Sequence, residues 1–302
     1  MTDSAPDTVR AGDWVTEALH GAFRTSYRAD RVLYERPVGQ QHLVLYENAI
    51  FGRMLALDGV TQVTERDEFI YHEMLTHVPL LAHGSARSVL IVGGGDGGIL
   101  REVLRHPNVE RVVMVEIDRG VVDFSREFLP TVSAGAFDDP RLDLVIADGA
   151  EFMRRDGESF DAIIVDSTDP IGPGEVLFTD TFYGHARRRL NAGGVIATQN
   201  GVPFLQGDEL RNTMRAFNAL YAAATCYLVT VPTYVGGPMA LGFGSDDLSR
   251  LSVTEAELDR RQKAAGFTGR YYTPAVHKAA FALPPYVQAL VEPRVQEGEE
   301  GG

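Results

Sequence analysis

The sequence predicts an α/β protein, a small N-terminal β-domain followed by a mostly parallel sheet with helices packed against it. Three observations predict it. Short apolar runs separated by turn signals fill the chain up to Val63, and from Ser88 strand and helix patterns alternate. Glycines and acids gather immediately after the strands of that second region.

Val32–Tyr34, His42–Glu47 and Arg53–Leu57 read as strands, and Asp58-Gly59 is a hairpin turn into Val60–Val63. Thr64-Glu65-Arg66-Asp67 has the form of a capping box, opening a helix with Ile70, Met74, Val78 and Leu81 on its apolar face. Strands follow at Ser88–Val92, Arg111–Ile117, Leu142–Ala147, Phe160–Val165 and Val195–Thr198. The helices between and after them are Ile99–Arg105, Val121–Leu129, Thr181–Leu190 and Glu209–Tyr221. Thr225–Val231 and Met239–Gly244 leave no room for a crossover helix, so they form an antiparallel pair closing the sheet. The expected organisation is a disordered stub (1–13), a β-strand domain (14–63), a Rossmann-like catalytic domain (64–291) and a disordered acidic tail (292–302).

Composition narrows the function classes. Apolar residues make up 44% of 302, enough for a core, and no apolar run approaches the ~20 residues of a bilayer span. The polar N-terminus lacks a signal core, and the one cysteine, Cys226, fits a reducing cytoplasm and a buried structural thiol in its strand. A net charge of −14 disfavours nucleic acid and anionic membranes and favours cationic partners.

An open parallel sheet binds ligands at the carboxyl ends of its strands. After the first strand comes Gly93-Gly94-Gly95-Asp96-Gly97-Gly98, a G-x-G-x-x-G turn that brings backbone close to a ligand. After the second comes Glu116, at the distance where such folds place an acid on ribose hydroxyls. Asp96 in the turn would repel a pyrophosphate and attract a sulfonium or ammonium, which favours an S-adenosyl compound over NAD. After the third strand, Asp148-Gly149 has two readings: an acceptor for an adenine amine, or a helix N-cap. After the fourth, Asp166 and Asp169 precede a Pro/Gly-rich loop with Pro173; Asx turns are one explanation, a cation held by the clustered acids another, and a metal ion competes with an organic one. His72 and His77 are spaced H-E-x-x-x-H, one residue too long for a zinc pair on one helix face.

The segments LDGVTQVTERDEFIYHEMLTHVPL, VLIVGGGDGGILREV, VEID, DSTDPIGPGE, PTYVGG and YYTPAVHKAAFALP resemble those of spermidine synthases, the polyamine aminopropyltransferases, and most closely the bacterial putrescine-using branch. The match runs from about Trp14 to Tyr286. The resemblance implies a methyltransferase-like Rossmann domain, decarboxylated S-adenosylmethionine as aminopropyl donor and co-substrate, putrescine as acceptor, and spermidine and 5′-methylthioadenosine as products. No further cofactor and no metal are implied, and the expected assembly is a homodimer or homotetramer. By the family pattern Gln41, Glu116, Asp148, Gly149 and Pro173 hold the nucleoside; Tyr71, His72, Asp96, Asp169 and Tyr234 line the polyamine and aminopropyl channel; Asp166 is the proton acceptor. The loop Ser167–Glu175 is expected to order over bound substrates. His277 lies in a family segment with no chemistry assigned. Three rivals keep parts of this reading: a methyltransferase using intact S-adenosylmethionine, a non-catalytic polyamine-binding protein, and an NAD-linked dehydrogenase.

Overall fold

The computed structural model describes residues 8–38, 41–167 and 172–292, apart from the side chains at 38, 41, 172 and 173. Most of the expected stub and nearly all of the expected tail thus lie outside the described residues, as do Asp169, the side chains of Gln41 and Pro173, and part of the Ser167–Glu175 loop.

β1 (Trp14–His20) and β2 (Phe23–Arg28) form an antiparallel hairpin on their own. The sequence patterns single out neither strand, because both carry polar residues on each face and bury little. β3 (Arg31–Val38), β4 (Gln41–Asn48), β5 (Gly52–Leu57) and β6 (Val60–Thr64) build a four-stranded antiparallel sheet. Pro37 fits within β3 because that strand is an edge, where a missing N–H breaks no ladder. Asp58 and Gly59 both take positive φ (50° and 80°), as the tight hairpin between β5 and β6 requires.

The expected capping box is not formed. Thr64 ends β6, and Asp67 stands at the N-cap of α1 (Glu68–His83) without bonding the helix's own N–H groups. Its carboxylate instead accepts from Thr64 Oγ1 at 2.6 Å and from N and Oγ1 of Thr233 at 3.0 and 2.7 Å. A tertiary partner that sequence spacing cannot reveal takes the carboxylate away from the local cap.

The second sheet starts with β7 (Ser88–Gly93), then α2 (Gly98–Leu104), β8 (Arg111–Glu116), α3 (Arg119–Phe128), the short α4 (Pro130–Ser133), β9 (Leu142–Ile146) and α5 (Gly149–Arg154). β10 (Phe160–Asp166), α6 (Asp180–Arg188), β11 (Leu190–Gln199), α7 (Pro203–Leu220), β12 (Ala223–Val229) and β13 (Met239–Ser245) follow. Three helices, α8 (Glu255–Ala265), α9 (Pro274–Ala280) and α10 (Pro285–Val291), complete the chain. Strand order is β12-β13-β11-β10-β7-β8-β9; β13 enters between β11 and β12 and is antiparallel to both, while the other strands run parallel. α7 begins at Pro203 rather than at the expected Glu209, since proline suits a first helical turn, and it kinks at Gln206.

Alternation across the pleat gives the sheet two cores: Val89 and Ile91 pack beneath α1, Leu90 and Val92 pack on the opposite face. α1 is buried along almost its full circumference, so its polar residues face protein and not water. Cys226 is fully buried, and burial pushes its thiol up to about 12, consistent with the expected structural role. Among the described residues, no helix is long and apolar enough to cross a membrane.

Candidate active site

The strand ends of the large sheet open into a cavity of about 270 Å³. Tyr71, His72, Asp96, Glu116, Asp148, Gly149, Asp166 and Tyr234 all line it. The glycine turn lets the strand ends come this close. Gly93 has φ +83°, and a Cβ there would sit 2.0 Å from the carbonyl oxygen of Asp166. At Gly149, a Cβ would meet Val92 at 2.6 Å, so the chain after β9 can lie against β7 only as glycine.

Glu116 closes β8 and is 8% exposed; burial drives its carboxyl up to about 7, against the backbone N–H groups of Ile117 and Asp118 that favour the ion. Asp148 is the N-cap of α5, accepting from Glu151 N at 2.9 Å, and it also borders the cavity. The N-cap reading of this residue is thus observed, and the carboxylate keeps further lone pairs toward the cavity.

Asp166, which ends β10, also lines the cavity, and its Oδ1 accepts from Tyr71 Oη at 2.6 Å. Burial, then the Asp96 charge, pushes Asp166 up to about 6. Asp96 behaves oppositely: burial disfavours its ion, but the His72 cation and the Gly98 N–H (2.7 Å) outweigh that and hold it below the usual range. His72 pays a burial penalty too, yet Asp96 and Glu68 raise it to about 10. Tyr234 stands edge-on to Tyr71 with ring centroids 6.0 Å apart, its hydroxyl donating to the Gln62 carbonyl.

The ligand atoms of His72, Asp96 and Asp166 lie within 4.8 Å of one another, the one such group among the described residues. Both ring nitrogens of His72 already face carboxylates, Nδ1 on Glu68 and Nε2 toward Asp96, and the two aspartates suit an organic ammonium. His77 points elsewhere, its Nε2 on Glu102 (2.9 Å) and its Nδ1 on His106 (3.0 Å). His277 is a core group, with Nδ1 on Tyr272 Oη at 2.9 Å.

Sequence reasoning missed the outer wall. Glu17, Leu19, His20 and Phe23 of the β1–β2 hairpin line the cavity, as do Gln62, Gln199 and Gln206. The alternation in β1 places Glu17 and Leu19 on one face, but nothing local indicates what that face covers. The cavity wall thus carries hydrogen-bond acceptors in Glu116 and Asp148, and a raised carboxyl, Asp166, beside Tyr71 and Asp96.

Known proteins match the chain over most of its length. The spermine/spermidine synthase domain family matches residues 68–254, and the family described as the spermidine synthase tetramerisation domain matches residues 13–65. A polyamine aminopropyltransferase of Ruegeria sp. strain TM1040 is 65% identical over 92% of this chain and 98% of its own length. Polyamine aminopropyltransferase 1 of Pseudomonas aeruginosa is 55% identical over 90% of this chain and 95% of its own. A spermidine synthase crystallised with the transition-state analogue AdoDATO superposes with a TM-score of 0.87 at 36% identity, covering 96% of this chain and 98% of that one. The Thermotoga maritima spermidine synthase superposes at 0.85 with 35% identity, over 96% and 97%. The chain belongs to the spermidine synthase family of polyamine aminopropyltransferases.

Proposed function

We propose that this enzyme moves the aminopropyl group of decarboxylated S-adenosylmethionine to putrescine. The amine lone pair attacks the methylene carbon bonded to sulfur, the C–S bond breaks, and its electrons leave on sulfur as the neutral thioether of 5′-methylthioadenosine. The new C–N bond gives spermidine, and the proton shed by nitrogen passes to Asp166.

The observation that carries this reading is Asp166, held by Tyr71 beside Asp96 and His72 in a cavity that Glu116 and Asp148 also line. An alkyl amine titrates near ~10.4, so stripping its proton at neutral pH costs about 4–5 kcal/mol. A carboxyl raised to about 6 lies roughly two units closer to that amine than an ordinary aspartate, narrowing the gap by about 3 kcal/mol. Holding amine and sulfonium in line supplies much of the rest.

In this reading Tyr71, His72, Asp96, Asp169 and Tyr234 hold the acceptor and the aminopropyl chain. Gln41, Glu116, Asp148, Gly149 and Pro173 hold the nucleoside, Glu116 through the ribose. The donor is a co-substrate; no separate cofactor or metal takes part. Residues 14–63 form the assembly domain of a homodimer or homotetramer, residues 64–291 the catalytic domain, and the enzyme works in the cytoplasm.

Asp166→Asn tests the assignment: the catalytic rate should fall by ~10²–10⁴-fold, as for a lost general base, with donor binding kept. Normal turnover in that variant would remove Asp166 from its role. Competition between decarboxylated and intact S-adenosylmethionine tests the reaction itself, since faster turnover of the intact donor indicates methyl transfer.

A further inference from the structure

Behind His72, on the side away from the cavity, lies a buried carboxylate that no step of the transfer uses. Glu68, one helical turn before His72 on α1, places Oε2 2.6 Å from His72 Nδ1 and is 7% exposed. Arg101 of α2 grips it with both terminal nitrogens, at 2.9 Å to Oε2 and 3.2 Å to Oε1. Arg101 is itself fixed by the Val132 carbonyl and by Glu102. On the cavity side, His72 Nε2 faces Asp96 Oδ2 at 3.3 Å.

A neutral imidazole carries one N–H and can donate to only one of these two carboxylates; the cation donates to both. Arginine keeps its charge in proteins, so the forked contact holds Glu68 as an anion, and a buried anion against Nδ1 holds the proton on the ring. We propose that Glu68, clamped by Arg101, is a positioning residue that keeps both ring nitrogens of His72 protonated. Asp96 then stays an ionised partner of His72, and of the two aspartates only Asp166 exchanges a proton with the acceptor amine.

The groups facing His72 are Glu68 and Tyr71 of α1, Asp96 of the glycine turn, and Asp166 of β10, with Arg101 and Glu102 behind Glu68. Among the described residues, Glu116 and Tyr234 also belong to the charged and titratable surroundings of this cluster. Without the ring cation, Asp96 and Asp166 become two adjacent carboxylates that share one proton, and the base is blocked to higher pH.

Only the kinetic arm of the test rests on the aminopropyl-transfer reading. In the full-length wild-type protein, ¹⁵N NMR should show both His72 ring nitrogens protonated from pH 6 to 8.5, with the signal assigned by its loss in His72→Gln. In Glu68→Gln the same ring should lose its proton at least one pH unit earlier. The acid limb of kcat/KM for the acceptor should move up by about one pH unit in that variant, about tenfold on the acid side. Glu68→Asp, which retains the charge, should restore most of the shift. A role in folding alone would lower the rates of both variants and leave the profile where it was. A neutral His72 at pH 7.5 in the wild-type protein overturns the proposal whether or not Glu68→Gln folds, and so does an unmoved acid limb in folded Glu68→Gln. A wild-type imidazolium with no aminopropyl transfer would instead count against the reaction and leave the clamp standing.

Discussion

Replacing Asp67 by alanine should unlatch the segment that carries Tyr234. The carboxylate collects three donors, Thr64 Oγ1 and both N and Oγ1 of Thr233, and Asp67 is only 4% exposed. Thr233 is 2% exposed, so its N–H finds no water in exchange, and one orphaned buried donor costs about 1–3 kcal/mol. The two hydroxyls can rotate toward other acceptors and lose roughly 0.5–1.5 kcal/mol each. Together these give about 2–6 kcal/mol, measured as the shift in urea unfolding free energy. The functional effect follows from position: Tyr234 keeps its hydroxyl bond to the Gln62 carbonyl, but the backbone that sets it beside Tyr71 loses its Asp67 anchor, and a displacement of about 1 Å can cost on the order of 10²-fold. The acceptor's kcat/KM should therefore fall at least tenfold with donor affinity unchanged. Asp67→Asn, which keeps one carbonyl acceptor for the Thr233 N–H, should lose less on both counts. An alanine variant within about 0.5 kcal/mol of the parent, with an unaltered acceptor constant, would refute the latch.

Two further outcomes follow from the geometry. Gly93→Ala puts a methyl 2.0 Å from the Asp166 carbonyl at φ +83°, adding roughly 1–2 kcal/mol of backbone strain to about 1–3 of overpacking. Its melting temperature and its rate should both drop, and an unchanged rate would show that Asp166 tolerates movement. Acid should weaken the fold through His277, which burial holds down to about 3. An unfolded histidine titrates near ~6.5, so below that pH the unfolded chain binds a proton the folded one refuses, and stability falls by about 2 kcal/mol at pH 5 for this group. Glu116 and Asp166, both raised, act in the opposite direction over the same range. The difference between parent and His277→Gln cancels them. The variant should lose about 2 kcal/mol less between pH 7 and pH 5 by urea unfolding, and equal losses would contradict the burial argument.

The strands from β3 onward and the strand-end acids were legible because each is encoded locally. A period-two run, a Asp-Gly turn or a glycine cluster after a β-strand needs no distant residue to be recognised. What stayed hidden is tertiary. Asp67 looks like a cap and serves as a latch because Thr233 is far away in sequence. Glu68 looks like a first-turn acid suited to the helix dipole, yet Arg101 turns it into a counter-ion for His72. Asp96 and Asp166 share one rim by position, and it is the neighbouring imidazole with the Gly98 N–H that lowers Asp96, while burial and the Asp96 charge raise Asp166. Gln41 and the tyrosines entered through family likeness, whereas Glu116 was legible from its place after the second strand and from the apolar run around it.

The β1–β2 hairpin pairs with neither larger sheet, yet Leu19, His20 and Phe23 wall the cavity, and the same hairpin falls within the segment matching a tetramerisation family. If subunits associate through it as proposed, assembly and occupancy draw on one ordered element and become thermodynamically linked. Whatever free energy association adds to the ordered hairpin is returned as affinity for what occupies the cavity, and the bound ligand tightens association by the same factor. Protein concentration then becomes a variable of substrate affinity, visible as an affinity that weakens on dilution.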